Sequence, residues 1–231
     1  MSHLFLTETH LHTSEASACA SASGAQQADQ YKKLGYDTII VTDHFFNGNT
    51  TVDRTLPWEK QVDLYCLGYE NAKKRGDEIG LNVLFGIEYT WTGTDFLIYG
   101  VDKEWLKSYP DTMQISVQEF CDRVHAAGGA VVHAHPFRER NYIHELKFIP
   151  QYTDGVEGYN AGNGSTVMDE RAVWYAEQYG FPITAGSDCH HIGGDSHNPG
   201  VFFGVYTEER INDISDYIAV VKERRIAGLK L

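Results

Sequence analysis

His10 and His12 stand two apart in "TETHLHTSE", directly after the apolar run Leu4-Phe5-Leu6. A strand's pleat repeats every two residues, so both imidazoles face the same way. Four more short stretches carry donors of the same kind. They are Asp43-His44 in "VTDH", Glu88 in "GIEYT", His133 and His135 in "VVHAHPFR", and Asp188-Cys189-His190-His191 in "GSDCHH". Imidazole and carboxylate together suit zinc, manganese or iron. The chemistry within reach is metal-assisted hydrolysis, provided that the fold brings residues 10 to 191 to one place.

The elements between these stretches supply such a fold. Short β-rich runs alternate with helical patterns, the mark of βα units on a mainly parallel sheet. The strands read as "LFLTE", "DTIIVTD", "NVLFGIE", "DFLIYG", "GAVVHA", "DGVEGY" and "FPITAGS", with "GVFFGVYT" a possible eighth. Helices are expected near 25–34, 57–78, 116–127, 166–180 and 213–225. The fourth carries Val167, Ala172, Val173, Ala176 and Tyr179 at helical spacing, which predicts a face packed on the sheet. In a closed βα barrel the strands' C-terminal ends open at one mouth, and nearly every strand here ends in a candidate donor. Stretch 139–153 shows no regular pattern.

At 231 residues, 42% apolar and 22% charged, the chain reads as one globular domain over 1–231. No apolar run approaches the length of a membrane span, and the N-terminal stretch does not read as a secretory signal. Cys19, Cys66, Cys121 and Cys189 show no C-x-x-C pairing, so reduced thiols in a cytoplasmic protein are expected. The net charge of −13 argues against a long nucleic acid held by surface lysine and arginine. A small phosphorylated ligand met locally by metal ions is compatible with it.

With "THLHT", "VTDH", "GIEYT", "AHPFR" and "GSDCH" in this order, the chain resembles the polymerase and histidinol phosphatase (PHP) family of metal-dependent phosphoesterases. The resemblance implies an α/β fold, a distorted (β/α)7 TIM-like barrel with its metal site at the C-terminal ends of the strands. It implies two to three divalent ions (Zn, Mn or Fe). His10 and His12 would bind the first ion, Asp188 would complete that site, and Glu88 would bridge to a second ion held by His135. His44 and His190 would hold a third. Where family members often carry a further third-site ligand, this chain offers Glu15 or Cys19, with Glu15 favoured as the harder donor. Asp95 stands where some members have a histidine on the second metal. His133, two before His135 and so expected to face the same way, is read as a ligand or as a hydrogen-bonding group near the substrate.

Around these, Asp43 is expected to orient His44 through a hydrogen bond, and Arg138 to act as a planar fork for phosphate. A metal-bound water or a histidine at the mouth, His190 or His191, would protonate the leaving oxygen. His197 and Arg140 are within sequence reach of the mouth, while Glu157 and Asn160 would contact substrate or tie loops together. His3, His125 and His144 read as structural or exposed, and Cys189 as packing. The expected activity is hydrolysis of a small phosphomonoester by a hydroxide bound between metals. The rivals are a barrel amidohydrolase cleaving C–N bonds and a non-enzymatic metal- or nucleotide-binding module. The oligomeric state is left open.

Overall fold

The computed structural model describes residues 3–231. It is a mixed α/β structure whose main sheet curls into a nearly closed barrel. The elements run β1 (Phe5–Leu11), α1 (Gly24–Lys33), β2 (Thr38–Val41), α2 (Trp58–Tyr65), α3 (Leu67–Ile79), β3 (Asn82–Trp91) and β4 (Thr94–Tyr99). They continue α4 (Lys103–Ser108), α5 (Val117–Ala126), β5 (Ala130–Ala134), β6 (Gly155–Asn160), α6 (Thr166–Tyr179) and β7 (Ile183–Gly186). After a two-stranded tongue, β8 (Gly194–Asp195) and β9 (Asn198–Pro199), come β10 (Gly204–Thr207), α7 (Ile214–Lys222) and β11 (Gly228–Lys230). The main sheet has the order β11-β10-β1-β2-β3-β4-β5-β6-β7.

Local chemistry explains where the helices begin. Ser23 caps α1 and is answered by the Gln26 side chain, while Asp213 and Asp216 do the same for α7. Ser116 caps α5, and Asp102 caps α4, a short helix that the sequence pattern does not predict. The expected helix over 57–78 is interrupted at Cys66, which closes α2 and opens α3.

The count of seven βα units needs correction, because β4 runs antiparallel to both β3 and β5. Thr92 and Gly93 join β3 to β4 with φ of 50° and 86°, and positive φ at both central residues is the backbone of a tight hairpin turn. A parallel crossover needs a dozen or more residues, and only Thr92 and Gly93 lie there. Between β5 and β6 the chain forms only a 3-10 turn, Pro150–Tyr152.

The barrel seam lies between β1 and β7. Asp188 N donates to His10 O at 2.7 Å and His12 N to Cys189 O at 3.0 Å. Beneath the seam the buried Glu8 carboxylate accepts from the backbone of Thr9, His10 and Ser187 and from the Ser187 hydroxyl. Burial pushes Glu8 up to about 7, against the pull of those hydrogen bonds. At the other end of the barrel, Tyr217, Ile218, Val220 and Val221 of α7 pack against Leu97, Tyr99, Ala130 and Val132.

On α6 the packed face is Asp169, Ala172, Tyr175 and Ala176. Val167 and Tyr179, expected on that face, are exposed together with Trp174. Among the described residues, no helix is long and apolar enough to cross a membrane.

Candidate metal centre

β1 delivers His10 and, just past its end, His12, both fully buried. Their Nε2 atoms lie 3.2 Å apart. His10 Nε2 is 3.3 Å from Glu88 Oε1 and 3.5 Å from Asp188 Oδ1. His12 Nε2 is 3.5 Å from Glu88 Oε2 and 3.1 Å from Asp188 Oδ1. A tetrahedral ion with bonds of ~2.0–2.1 Å needs donor atoms about 3.3 Å apart. His10, His12 and Asp188 fit that requirement, and Glu88 presents a separate oxygen to each histidine.

The donors are also aimed. His10 Nδ1 meets Glu157 Oε1 at 2.9 Å, and a carboxylate there accepts the Nδ1–H hydrogen bond and leaves the Nε2 lone pair for the centre. His12 Nδ1 meets Ser17 Oγ at 3.0 Å, and Ser17 donates onward to Asp43 Oδ1 at 2.7 Å. Asp43 therefore positions His12 through Ser17, and it does not hold the His44 ring as the sequence suggests. Only the His44 backbone N–H reaches Ser17 Oγ. Burial raises Asp43 to about 6, although Thr13 and Ser17 donate to it.

Glu88 sits at the hinge of the arrangement. Its Oε1 is 3.0 Å from His135 Nε2 and its Oε2 is 2.5 Å from His44 Nδ1. Burial opposes its charge, yet His44 and His10 hold the carboxyl well below the usual range. Asp188 is likewise held low, against burial, by Arg138 and His10. Although Glu88 Oε2 and His44 Nδ1 face each other at 2.5 Å, neither they nor the buried Asp188 Oδ1 meets hydrogen-bond geometry with any partner. Buried orphans of this kind are costly unless a cation satisfies them. Two further donor sets adjoin the first: Glu88, Asp95 and His135, and then His12, His44 and His190. Asp95, at the start of antiparallel β4, comes 4.0 Å from His135 Nε2.

Two candidate donors occupy strained backbone. His135 has φ of 28° and Asp188 has φ of 51°, uncommon for non-glycine residues and clustered at functional sites generally. β5 ends at Ala134, so this turn swings His135 out of strand alternation and into the mouth. His133 is left on the opposite side, against Phe96, Phe148 and Tyr175, with both ring nitrogens unpartnered. Burial and nearby His135 push it down to about 3. The reading of His133 as a ligand or substrate contact is corrected accordingly.

Glu15 also lies elsewhere. Its carboxylate accepts from Gly24 N, at the start of α1, and from Asn71. Cys19, by contrast, lines the mouth beside His44 and His190. Burial works against its thiolate, but contacts with His190 and His44 bring the thiol down to about 6.

The mouth is a cleft of about 760 Å³ whose walls include Arg138, Arg140, Tyr142, His191, Asp195 and His197. Arg138 is largely spoken for. Its Nη2 reaches Asp188 Oδ2 at 2.7 Å and Asn160 Oδ1 at 2.7 Å, and its Nε reaches Asn163 Oδ1 at 3.0 Å. Arg140 binds only the backbone carbonyls of Glu139 and Gly162. His190 donates Nδ1 to Asp188 O at 2.8 Å and has Asp195 Oδ2 at 3.5 Å. His191 Nδ1 meets Ser21 Oγ at 2.8 Å. Cys189 is buried among apolar residues of α1 and β2.

Sequence reasoning missed Glu8, Ser17 and Asp195, and left Glu157 undecided. Glu157 accepts from His10, from the His135 backbone and from Asn160, so one carboxylate sets two candidate ligands. Gly186 permits this, since a Cβ there would lie 2.5 Å from Glu157 Oε1 and 2.6 Å from His10 Cβ.

Comparison with known proteins places these findings. The model of the PHP-associated family matches residues 169–194. An uncharacterised protein of Methanocaldococcus jannaschii is 31% identical over 109 residues, 44% of this chain and 45% of that protein. A two-domain protein of Bacteroides vulgatus, described as containing a predicted PHP-like metal-dependent phosphoesterase, superposes with a TM-score of 0.68 at 14% identity. That match covers 97% of this chain and 64% of that one. A candidate metal-dependent phosphoesterase of Bifidobacterium adolescentis gives 0.57 at 19% identity, covering 84% and 91%. An amidohydrolase of Chromobacterium violaceum gives 0.52 at 15%, covering 84% and 90%. The chain thus spans less than two thirds of the first relatives it matches. The PHP-associated match is confined to residues 169–194, and the solved PHP-like structures share this chain's fold.

Proposed function

We propose that this chain is a metal-dependent phosphoesterase that hydrolyses a small phosphomonoester. The observation that carries the reading is the meeting of His10, His12 and Asp188 at tetrahedral spacing, with Glu88 reaching both histidines and the imidazole lone pairs aimed inward. His10, His12 and Asp188 would hold one divalent ion, Glu88 would be shared, and His135 with Asp95 would complete a second site. Such ions lower the pKa of water towards neutrality and neutralise charge on phosphate oxygens.

The chain's own residues supply the rest. Arg138 fixes Asp188 and is less free to serve as a fork than its position in "AHPFR" suggests. Arg140, bound only to carbonyls, offers its remaining donors to a non-bridging oxygen. His190 belongs with the His12 and His44 cluster, so the proton for the leaving oxygen falls to His191, oriented by Ser21. A monoester suits a cleft that is cationic only at its floor and set in a chain of net charge −13, because screening confines attraction to about 8 Å at physiological salt.

Phosphate release from a panel of phosphorylated metabolites tests this, with short oligonucleotides, duplex DNA and amide substrates alongside. Metal-dependent turnover of a small monoester above all others is expected. Faster turnover of an amide would favour the amidohydrolase reading that the Chromobacterium violaceum neighbour keeps open. No turnover of any substrate with a metal-loaded sample would favour a binding module.

A further inference from the structure

Between β5 and the Pro150–Tyr152 turn, residues 135–149 carry no helix or strand. Loops of that length without structure of their own are uncommon in compact domains and usually serve a site. Both ends of this one are fixed. On one side Glu139 accepts from Arg171, and Arg140 donates to Gly162 O at 2.9 Å. On the other, Lys147 N donates to Thr94 Oγ1 at 3.3 Å and Lys147 Nζ to Thr92 Oγ1 at 2.6 Å. Phe148 then packs on Phe137 and Tyr175. The loop thus arches from the turn after β6 to the β3–β4 hairpin, along the rim of the cleft.

Tyr142 stands in the free span between these anchors. Ile143 N donates to Arg140 O at 2.9 Å, closing a turn with Tyr142 at its third position. The Tyr142 side chain lines the cleft, and at 70% it is the most exposed large apolar side chain among the described residues. Among the described residues it is also the one Phe, Tyr or Trp that lines the cleft, where the other lining residues are charged, polar or small. A ring left in water at the edge of a polar cleft gains free energy when a second flat ring covers it, because aromatic pairing adds to the burial of apolar area. In-line displacement sends the leaving oxygen away from the attacking one. The alcohol of a monoester held at the His10, His12 and Asp188 floor therefore projects outwards, to the rim where Tyr142 stands.

We propose that Tyr142 is a specificity-determining residue, a stacking platform for the leaving group, and that the substrates are monoesters whose alcohol carries a flat aromatic ring. The inference rests on the phosphoesterase reading above and adds the chemical class of the alcohol to it.

Benzyl phosphate and cyclohexylmethyl phosphate test it, since both release a primary alcohol bearing a six-carbon ring and only one ring is flat. With the manganese-loaded chain, kcat/KM should favour the benzyl ester by about three- to tenfold, the range of an aromatic pair. The preference should lie in KM, persist in Tyr142→Phe and vanish in Tyr142→Ala and Tyr142→Leu, the leucine keeping apolar bulk without a flat face. Hydrolysis of both esters with no preference, or a preference that survives in Tyr142→Ala, overturns the platform and leaves the phosphoesterase reading standing. If neither ester is hydrolysed, calorimetry with benzylphosphonate and cyclohexylmethylphosphonate decides. Tighter binding of benzylphosphonate that Tyr142→Ala abolishes keeps the platform and overturns hydrolysis, whereas equal binding or none overturns both. Circular dichroism of each variant checks the fold.

Discussion

Arg138 and Asp188 divide one carboxylate between two tasks. Arg138 Nη2 holds Asp188 Oδ2 at 2.7 Å, while Asp188 Oδ1 stays without a hydrogen-bond partner and faces the His10 and His12 nitrogens. The arginine that the sequence assigns to phosphate is therefore built into the candidate metal centre.

Arg138→Ala is expected to lower metal content as well as activity, because Asp188 loses the group that orients it. Asp188 is buried and Arg138 nearly so, and removing one partner of a buried pair costs about 3–5 kcal/mol, an upper bound here. Metal analysis and thermal unfolding of the stripped protein check this together. Full metal content with a selective loss of turnover would return Arg138 to the role of a simple phosphate fork.

Glu157→Gln should weaken metal binding by about 10–100-fold, the usual cost of losing a carboxylate behind a histidine ligand. Competition with a chromophoric chelator measures it. An unchanged affinity would mean that His10 does not depend on Glu157 for its orientation.

Glu8 predicts a pH dependence in the stripped protein. Its folded pKa is raised to about 7 from an ordinary 4.5, so between those values the unfolded chain gives up a proton that the fold retains. Stability contributed by the neutral carboxyl is present below 4.5 and lost as pH rises towards 7, by about 3 kcal/mol. Glu8→Gln should flatten this part of the profile in urea unfolding at stepped pH. Parallel profiles for the two proteins would show that Glu8 is charged in the fold.

His133→Phe is expected to leave metal content unchanged and to raise unfolding free energy by about 1 kcal/mol, since two buried, unpartnered ring nitrogens disappear. Loss of metal on this substitution would place His133 in the centre after all.

The His10 and His12 pair was legible because strand periodicity governs it. The same rule misplaces His133, because β5 stops at Ala134 and a left-handed residue follows. Asp188 shows that no pattern of residue types announces such a turn. Antiparallel β4 was readable in principle, since too few residues separate its strand from β3 for a crossover, and Thr92-Gly93 suits a hairpin. Glu15 was preferred on donor hardness, but its carboxylate is drawn to the α1 N-terminus, a contact between residues nine apart that composition cannot reveal. Glu157 and Ser17 escaped because they act through another residue's ring, and Asp195 because it sits on the two-stranded tongue. Val167 and Tyr179 fit a helical stripe, yet the sheet covers α6 along the neighbouring line of Ala172, Tyr175 and Ala176.

The barrel seam bears on the order of folding. The β3–β4 hairpin joins residues near in sequence, whereas Glu8 reaches Ser187 across 179 positions. Closing so long a loop is entropically costly and slow compared with local pairing. The seam is thus expected to close late on the folding path, and the His10, His12 and Asp188 donors would come together as a set only once it has formed. A cation bound there would act as a clasp on that step, and is expected to slow the reopening of the barrel more than it hastens its assembly.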